Sequence, residues 1–172
     1  MNILPENLTK QQALMINSAI ENAKRSNLLF RVGSVIYNCG IELVSGCNTH
    51  GDYIQDPMGV NHSVCAVHAE INACMAYYKK FLREKDKISQ RDFKNLTLCV
   101  VRRNRCGSLR NAKPCMECTA FLKKWFPCKI LYSTNDGFYQ CKIKDLESDH
   151  LSFVQEKRRS SPKGVLSKFT QN

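Results

Sequence analysis

The 172 residues predict an α/β sandwich built around a small sheet. Three observations carry that reading. Runs of branched and aromatic residues alternate with stretches whose apolar residues recur at helical spacing. The order of these stretches is helix, two strands, helix, strand, helix, strand. The alternation in the second half implies parallel strands joined by crossover helices. Finally, 43% hydrophobic and 9% aromatic residues make a globular composition, in a chain long enough to bury a core without staples. There is no internal repeat and no linker, so one domain is expected over residues 1–155. Residues 156–172, "EKRRSSPKGVLSKFTQN", are basic, contain serine and are poor in large apolar residues. They read as a loosely ordered tail.

Each element has its local reason. Thr9 and Gln12 form a capping box, and Ala13, Leu14, Ile16, Ala19, Ile20 and Ala23 come after it at helical spacing, predicting a helix over 10–26. "LLFRVGSVIYN" and "IELVSGCN" read as two strands of a hairpin turning at Cys39-Gly40. The Gly/Asp/Pro-rich stretch 49–63 is a loop leading to a helix over 65–81. The charged stretch 79–95 is a helix end or an insertion. "LTLCVVR" (96–102) is a third strand, 115–126 a third helix and "KILYST" (129–134) a fourth strand. Asn135-Asp136-Gly137 signals a turn, and the elements after it are ambiguous.

Charge and cysteine usage narrow the function. Against 15 Asp and Glu stand 26 Lys and Arg, a net charge of +11 that favours anionic partners. Residues 102–113, "RRNRCGSLRNAK", hold Arg102, Arg103, Arg105, Arg110 and Lys113 with no acid, and are the phosphate or nucleic-acid contact candidates. The N-terminus has no apolar signal region, and no run approaches the length of a membrane span. An intracellular place is expected, cytoplasmic first, with neither secretion nor a membrane partner. The ten cysteines are then free thiols. Cys39, Cys65, Cys74, Cys99 and Cys141 lie in apolar segments and read as small buried hydrophobes.

Only Cys115 and Cys118, in "KPCMEC", have chemical spacing. Lying one turn apart at a helix start, they can aim both thiols at one point, and Pro114 suits the first turn. The helix N-terminus also favours thiolates. "AVHAEINAC" places His68 two residues before Glu70 in a small apolar stretch. His68, Cys115 and Cys118 would supply the three protein ligands of a catalytic zinc. Glu70 stands close enough to carry protons without binding the metal. The bland alternatives are a redox Cys-x-x-Cys, which would need neither His68 nor Glu70, and a structural zinc site. A structural site would want a fourth ligand, for which His62, Cys65 and Cys106 are available.

This His-x-Glu…Pro-Cys-x-x-Cys pattern resembles the signature of the zinc-dependent cytidine and deoxycytidylate deaminase superfamily. "HAEINAC" and "KPCMECTAFLKKW", with a strand after them, are similar to its branch of deoxycytidylate, tRNA adenosine and polynucleotide cytidine deaminases. The resemblance implies a three-layer α/β/α cytidine-deaminase-like sandwich with a small mixed sheet, covering roughly residues 10–135. It implies Zn²⁺ held by His68, Cys115 and Cys118, with Glu70 as the catalytic proton shuttle. It also implies a substrate-binding role for Asn48 and for the backbone N–H of Ala69. For Asn48 the competing reading is a strand-ending turn, while His50 and His62 read as surface histidines. The segment "RNRCGSLRNAK" departs from the family's short passage from strand to Pro-Cys. It is expected to form a hairpin or loop at the rim of the site.

The expected activity is hydrolytic deamination of a cytosine nucleotide or nucleoside, with (deoxy)cytidylate first, giving the uracil product and ammonia. Two alternatives stand beside it. One is a polynucleotide cytidine or adenosine deaminase acting on tRNA or on single-stranded DNA or RNA. The other is a non-catalytic, RNA-binding deaminase-like subunit, against which Glu70 argues. Nucleic acid and a second copy of the chain are the further partners left open.

Overall fold

The computed structural model describes residues 1–51, 53–63 and 66–151. β1 (Asn2–Ile3) precedes α1 (Lys10–Lys24), whose start is closed by the expected capping box. The Gln12 N–H donates to Thr9 Oγ1, and the Thr9 N–H donates to Gln12 Oε1. β2 (Arg31–Asn38) and β3 (Ile41–Cys47) form the predicted hairpin. Its two turn residues, Cys39 and Gly40, have φ of 48° and 91°, as a tight turn matched to strand twist requires. Cys39 is therefore exposed in a turn and is not the buried hydrophobe expected of it. Cys74 and Cys99 are buried as expected, Cys141 is half-buried, and Cys65 lies outside the described residues.

The stretch predicted as loop carries two small ladders. β4 (Thr49–His50) pairs with β7 (Ala66–Val67), and β5 (Tyr53–Gln55) pairs with β6 (Asn61–Ser63). Pairing with β4 keeps residues 66–67 extended, so α2 (Ala69–Tyr77) begins later than the predicted residue 65, with His68 as its N-cap. A π-turn over Tyr78–Leu82 ends it, and the charged stretch beyond becomes an insertion with a 3₁₀ turn, Gln90–Phe93. β8 (Leu96–Arg103), β9 (Leu109–Arg110), α3 (Met116–Trp125), β10 (Lys129–Ser133) and β11 (Phe138–Lys142) complete the described fold.

The strands run β1-β11-β10-β8-β2-β3 across one mixed sheet, with β9 added to β8. Among the described strands only β8 and β10 are parallel, and the crossover between them carries α3. Strands β8 and β10 are buried on both faces and read accordingly as near-continuous apolar runs. Leu98, Val100 and Ile130 pack with Cys74 and Tyr77 of α2 and Leu122 of α3. Cys99, Val101 and Leu131 pack on the opposite face with Met15, Ile16 and Ala19 of α1. Helices therefore cover both faces of a mixed sheet, the three-layer architecture expected.

Two glycines set how closely those layers approach. A Cβ at Gly33 would collide with the backbone of Ala19 and Ala23 in α1. A Cβ at Gly46 would lie 2.9 Å from the Ala73 nitrogen in α2. Because Gly33 meets rigid helix backbone rather than a movable side chain, Gly33→Ala is expected to cost at least about 3 kcal/mol, the upper range for overpacking. Denaturant unfolding measures it, and a variant within about 1 kcal/mol of wild type would refute the close packing of α1 on β2.

Candidate metal and catalytic site

Two helix N-termini meet at one point. His68 is the N-cap of α2 and Cys115 the N-cap of α3, which puts Glu70 and Cys118 inside the first turns. Pro114, expected in the first turn of α3, instead precedes the N-cap and is fully buried. His68 Nδ1 lies 3.1 Å from Cys118 Sγ and 3.6 Å from Cys115 Sγ, and the three ligand atoms fall within 4.8 Å of one another. Cys115 and Cys118 are 4% and 5% exposed and pack with Ile71 in a small apolar cluster.

One imidazole nitrogen and two thiol sulfurs at these separations fit a tetrahedral zinc with its fourth position open. Among the described residues no other group of this kind occurs. Of the three candidates for a fourth ligand, Cys106 is exposed in the turn between β8 and β9 and does not join the group. The His62 side chain and Cys65 lie outside the described residues.

The electrostatics are those of three groups that share protons. A hydrogen bond from Cys118, opposed by burial and helped by His68, holds the Cys115 thiol down at about 4. The bond to Cys115 in turn raises His68 to about 9, with the Glu70 charge adding to it. Cys118, donating to Cys115 and buried, is pushed well above the ordinary thiol range. Near neutrality these groups by themselves hold one thiolate, one imidazolium and one neutral thiol. Zinc requires a neutral imidazole and two thiolates, so its binding displaces about two protons, one from His68 and one from Cys118. Zinc affinity is accordingly expected to rise with pH, with a slope near two between about pH 5 and 8. The slope falls towards one above about 9, where His68 has lost its proton and Cys118 still holds one. Calorimetry in buffers of different ionisation enthalpy checks the count, and zinc uptake without proton release would contradict it.

Glu70 is 4% exposed, and burial raises its carboxyl, with the His68 charge opposing. A carboxylate held in this way is a stronger base than one in water, and its pKa is moved towards neutrality, where one group can serve in turn as base and acid. Ala69 is fully buried at the first helical position, and its carbonyl accepts from Ser34 Oγ at 2.6 Å, fastening α2 to β2.

The remaining predicted residues divide. Asn48 is buried beside the group, because Thr49 pairs with Val67, the neighbour of His68. Its Nδ2 donates to the Phe30 carbonyl at 2.6 Å and its Oδ1 accepts from the Val32 N–H at 2.8 Å. The amide therefore fixes the chain entering β2. His50 is exposed. Residues 102–113 form the hairpin expected at the rim, with Arg102 paired to Arg110 and Arg103 to Leu109 across β8 and β9. Arg102, Arg103, Arg105 and Arg110 line one open depression of 460 Å³ with Leu29, Phe30, Asn104, Asn111 and Asn135. Lys113 is not in it. No sequence signal pointed to Leu29 and Phe30, whose composition is that of a strand. They remain in the loop before β2 because Asn48 ties down their carbonyl end.

Four further hydrogen bonds secure the approach to α3. Ser133 Oγ accepts from the Arg102 N–H and donates to the Arg110 carbonyl, and the Ala112 N–H donates to the Ser133 carbonyl. Beyond β11, the His150 carbonyl accepts from the Met116 N–H at 3.1 Å, satisfying a donor that a helix start leaves unpaired.

No protein-family profile and no curated protein matches the chain. Solved structures do. A cytidine deaminase from Burkholderia pseudomallei superposes with a TM-score of 0.57 at 14% identity, over 84% of this chain and 100% of that one. A cytidine deaminase from Mycobacterium leprae gives 0.49 at 17%, over 80% and 97%. A dCMP deaminase from the cyanophage S-TIM5 gives 0.46 at 18%, over 77% and 86%. The fold assignment rests on the first of these. This chain has the cytidine deaminase fold, with a His-Cys-Cys group and a buried glutamate where its second and third helices begin.

Proposed function

We propose that the protein is a zinc-dependent hydrolytic deaminase of a cytosine nucleotide or nucleoside, releasing ammonia and the uracil product. The observation that carries the proposal is the convergence of His68, Cys115 and Cys118 with Glu70 buried beside them. The fold likeness supports it.

His68, Cys115 and Cys118 would hold the metal. Zinc, when bound, supplies a Lewis acid that brings the pKa of a coordinated water towards ~7. The chain's own residues do the rest. Glu70 takes one proton of the attacking water on its carboxylate and gives it to ring N3 of the cytosine. Once the oxygen is bonded to C4, the carboxylate takes the remaining hydroxyl proton and passes it to the amino group, which leaves as ammonia. Burial of Glu70 keeps each proton from exchanging with bulk water while it is carried. The Ala69 N–H, at the start of α2 where a donor has no helical partner, suits the base carbonyl. Asn48, buried next to the Thr49–Val67 pair that adjoins His68, would contact the sugar.

Incubating the zinc-loaded protein with cytidine, deoxycytidine and their monophosphates, single-stranded DNA and tRNA, and reading the products by mass, tests this. A gain of about one dalton on a cytosine-bearing substrate is expected, since an amino group is exchanged for oxygen. A gain confined to adenosine in tRNA, or none on any substrate, would overturn the cytosine assignment.

A further inference from the structure

The depression lined by the β8–β9 hairpin holds four arginines and no acid. Their placement is costly in isolation. Arg102 and Arg110 face each other across the ladder, as do Arg31 and Arg103, and like charges directly opposite destabilise a sheet. Burial and the Arg110 charge both disfavour the Arg102 cation. Beside these charges stand apolar side chains that the fold leaves outside its core. Leu29 is 59% and Phe30 39% exposed, and the Arg102 guanidinium stacks over the Phe30 ring at 4.4 Å from its centroid. Asn111 and Asn135 add amides able to read polar edges.

The depression is tied to the candidate active site at two points. The Phe30 carbonyl is held by Asn48, which stands one ladder pair from His68. The hairpin leads through Ala112, anchored on Ser133, into Pro114 and Cys115. The depression is thus built on the same segments that carry Asn48 and Cys115.

We propose that this depression binds single-stranded polynucleotide flanking the reacting cytosine, so that a cytosine within a chain is taken as a substrate as well as the free nucleotide. The inference rests on the deaminase reading of the neighbouring site. One 5′-phosphate is satisfied by one or two guanidiniums and has no use for an exposed aromatic ring. Four guanidiniums spread round an open depression suit successive phosphates, and Phe30 with Leu29 offers a surface on which a flanking base stacks. A basic groove with an interleaved aromatic is the arrangement that holds single strands without strong sequence preference.

The test uses the full zinc-loaded chain with Glu70→Gln, which stops turnover, and fluorescein-labelled single strands of DNA and RNA, about twelve nucleotides long and containing one cytosine. Binding is expected to weaken with salt with a log–log slope of about 2, three phosphates at about 0.7 each. Phe30→Ala is expected to weaken it about tenfold, as loss of a stacking platform does. Arg105→Ala, at the exposed end of the hairpin, is expected to lower the slope by about 0.7, and it carries the test should Phe30→Ala fail to fold. Absent binding would overturn the proposal. So would a slope of about 0.7 with deoxycytidylate competing as well as the oligonucleotide, or duplex bound as tightly as single strand. Oligonucleotide binding without any cytosine conversion by the wild-type protein would instead sink the deaminase reading and leave the groove standing. Conversion of free deoxycytidylate without oligonucleotide binding would do the reverse.

Discussion

Glu70→Gln is expected to keep its zinc and its fold while losing about 10²–10⁴-fold in kcat, the usual contribution of a positioned acid–base group. The amide preserves the shape of a side chain that is 4% exposed and faces Cys118, but it cannot take up a proton. KM is expected to change little, since the lost interaction belongs to proton transfer rather than to holding the substrate. Steady-state kinetics beside a zinc determination decides it. Wild-type turnover with full zinc would reduce Glu70 to a filler between the two helices.

The second large effect is on the metal. Cys115→Ser or Cys118→Ser leaves two strong ligands, and the protein is expected to lose its zinc during purification where wild type retains about one per chain. Because both thiols are buried at the meeting of α2 and α3, the loss is also expected to lower the unfolding midpoint. Elemental analysis with thermal unfolding measures both. Stoichiometric zinc in the double variant would refute the ligand assignment.

The central layers were legible in the sequence because their signals are local. The capping box placed the start of α1 to the residue, and Cys39-Gly40 marked a turn that only positive φ could make. The grouping of His68, Cys115 and Cys118 was legible because a metal site would need fixed residue types at fixed spacing. What escaped depends on contacts distant in sequence. β1 and β9 are two residues each, too short for any periodicity, and exist because β11 and β8 offer them an edge. The start of α2 moved to Ala69 because β4 holds residues 66–67 extended. Leu29 and Phe30 have the composition of a strand, yet the Asn48 side chain, eighteen residues from Phe30, holds them outside it. The groove they line could not be read from a motif, since one wall is the loop before β2 and the other is the hairpin after β8.

The bond from the Met116 N–H to the His150 carbonyl has a consequence for cooperativity. The amide comes directly after Cys115, whereas the carbonyl belongs to the stretch beyond β11. Fraying of that stretch and loosening of the start of α3 are therefore expected to be coupled. Occupancy of the site is expected to slow hydrogen exchange at Met116, and a protease directed at residues 146–151 would report how much metal is bound.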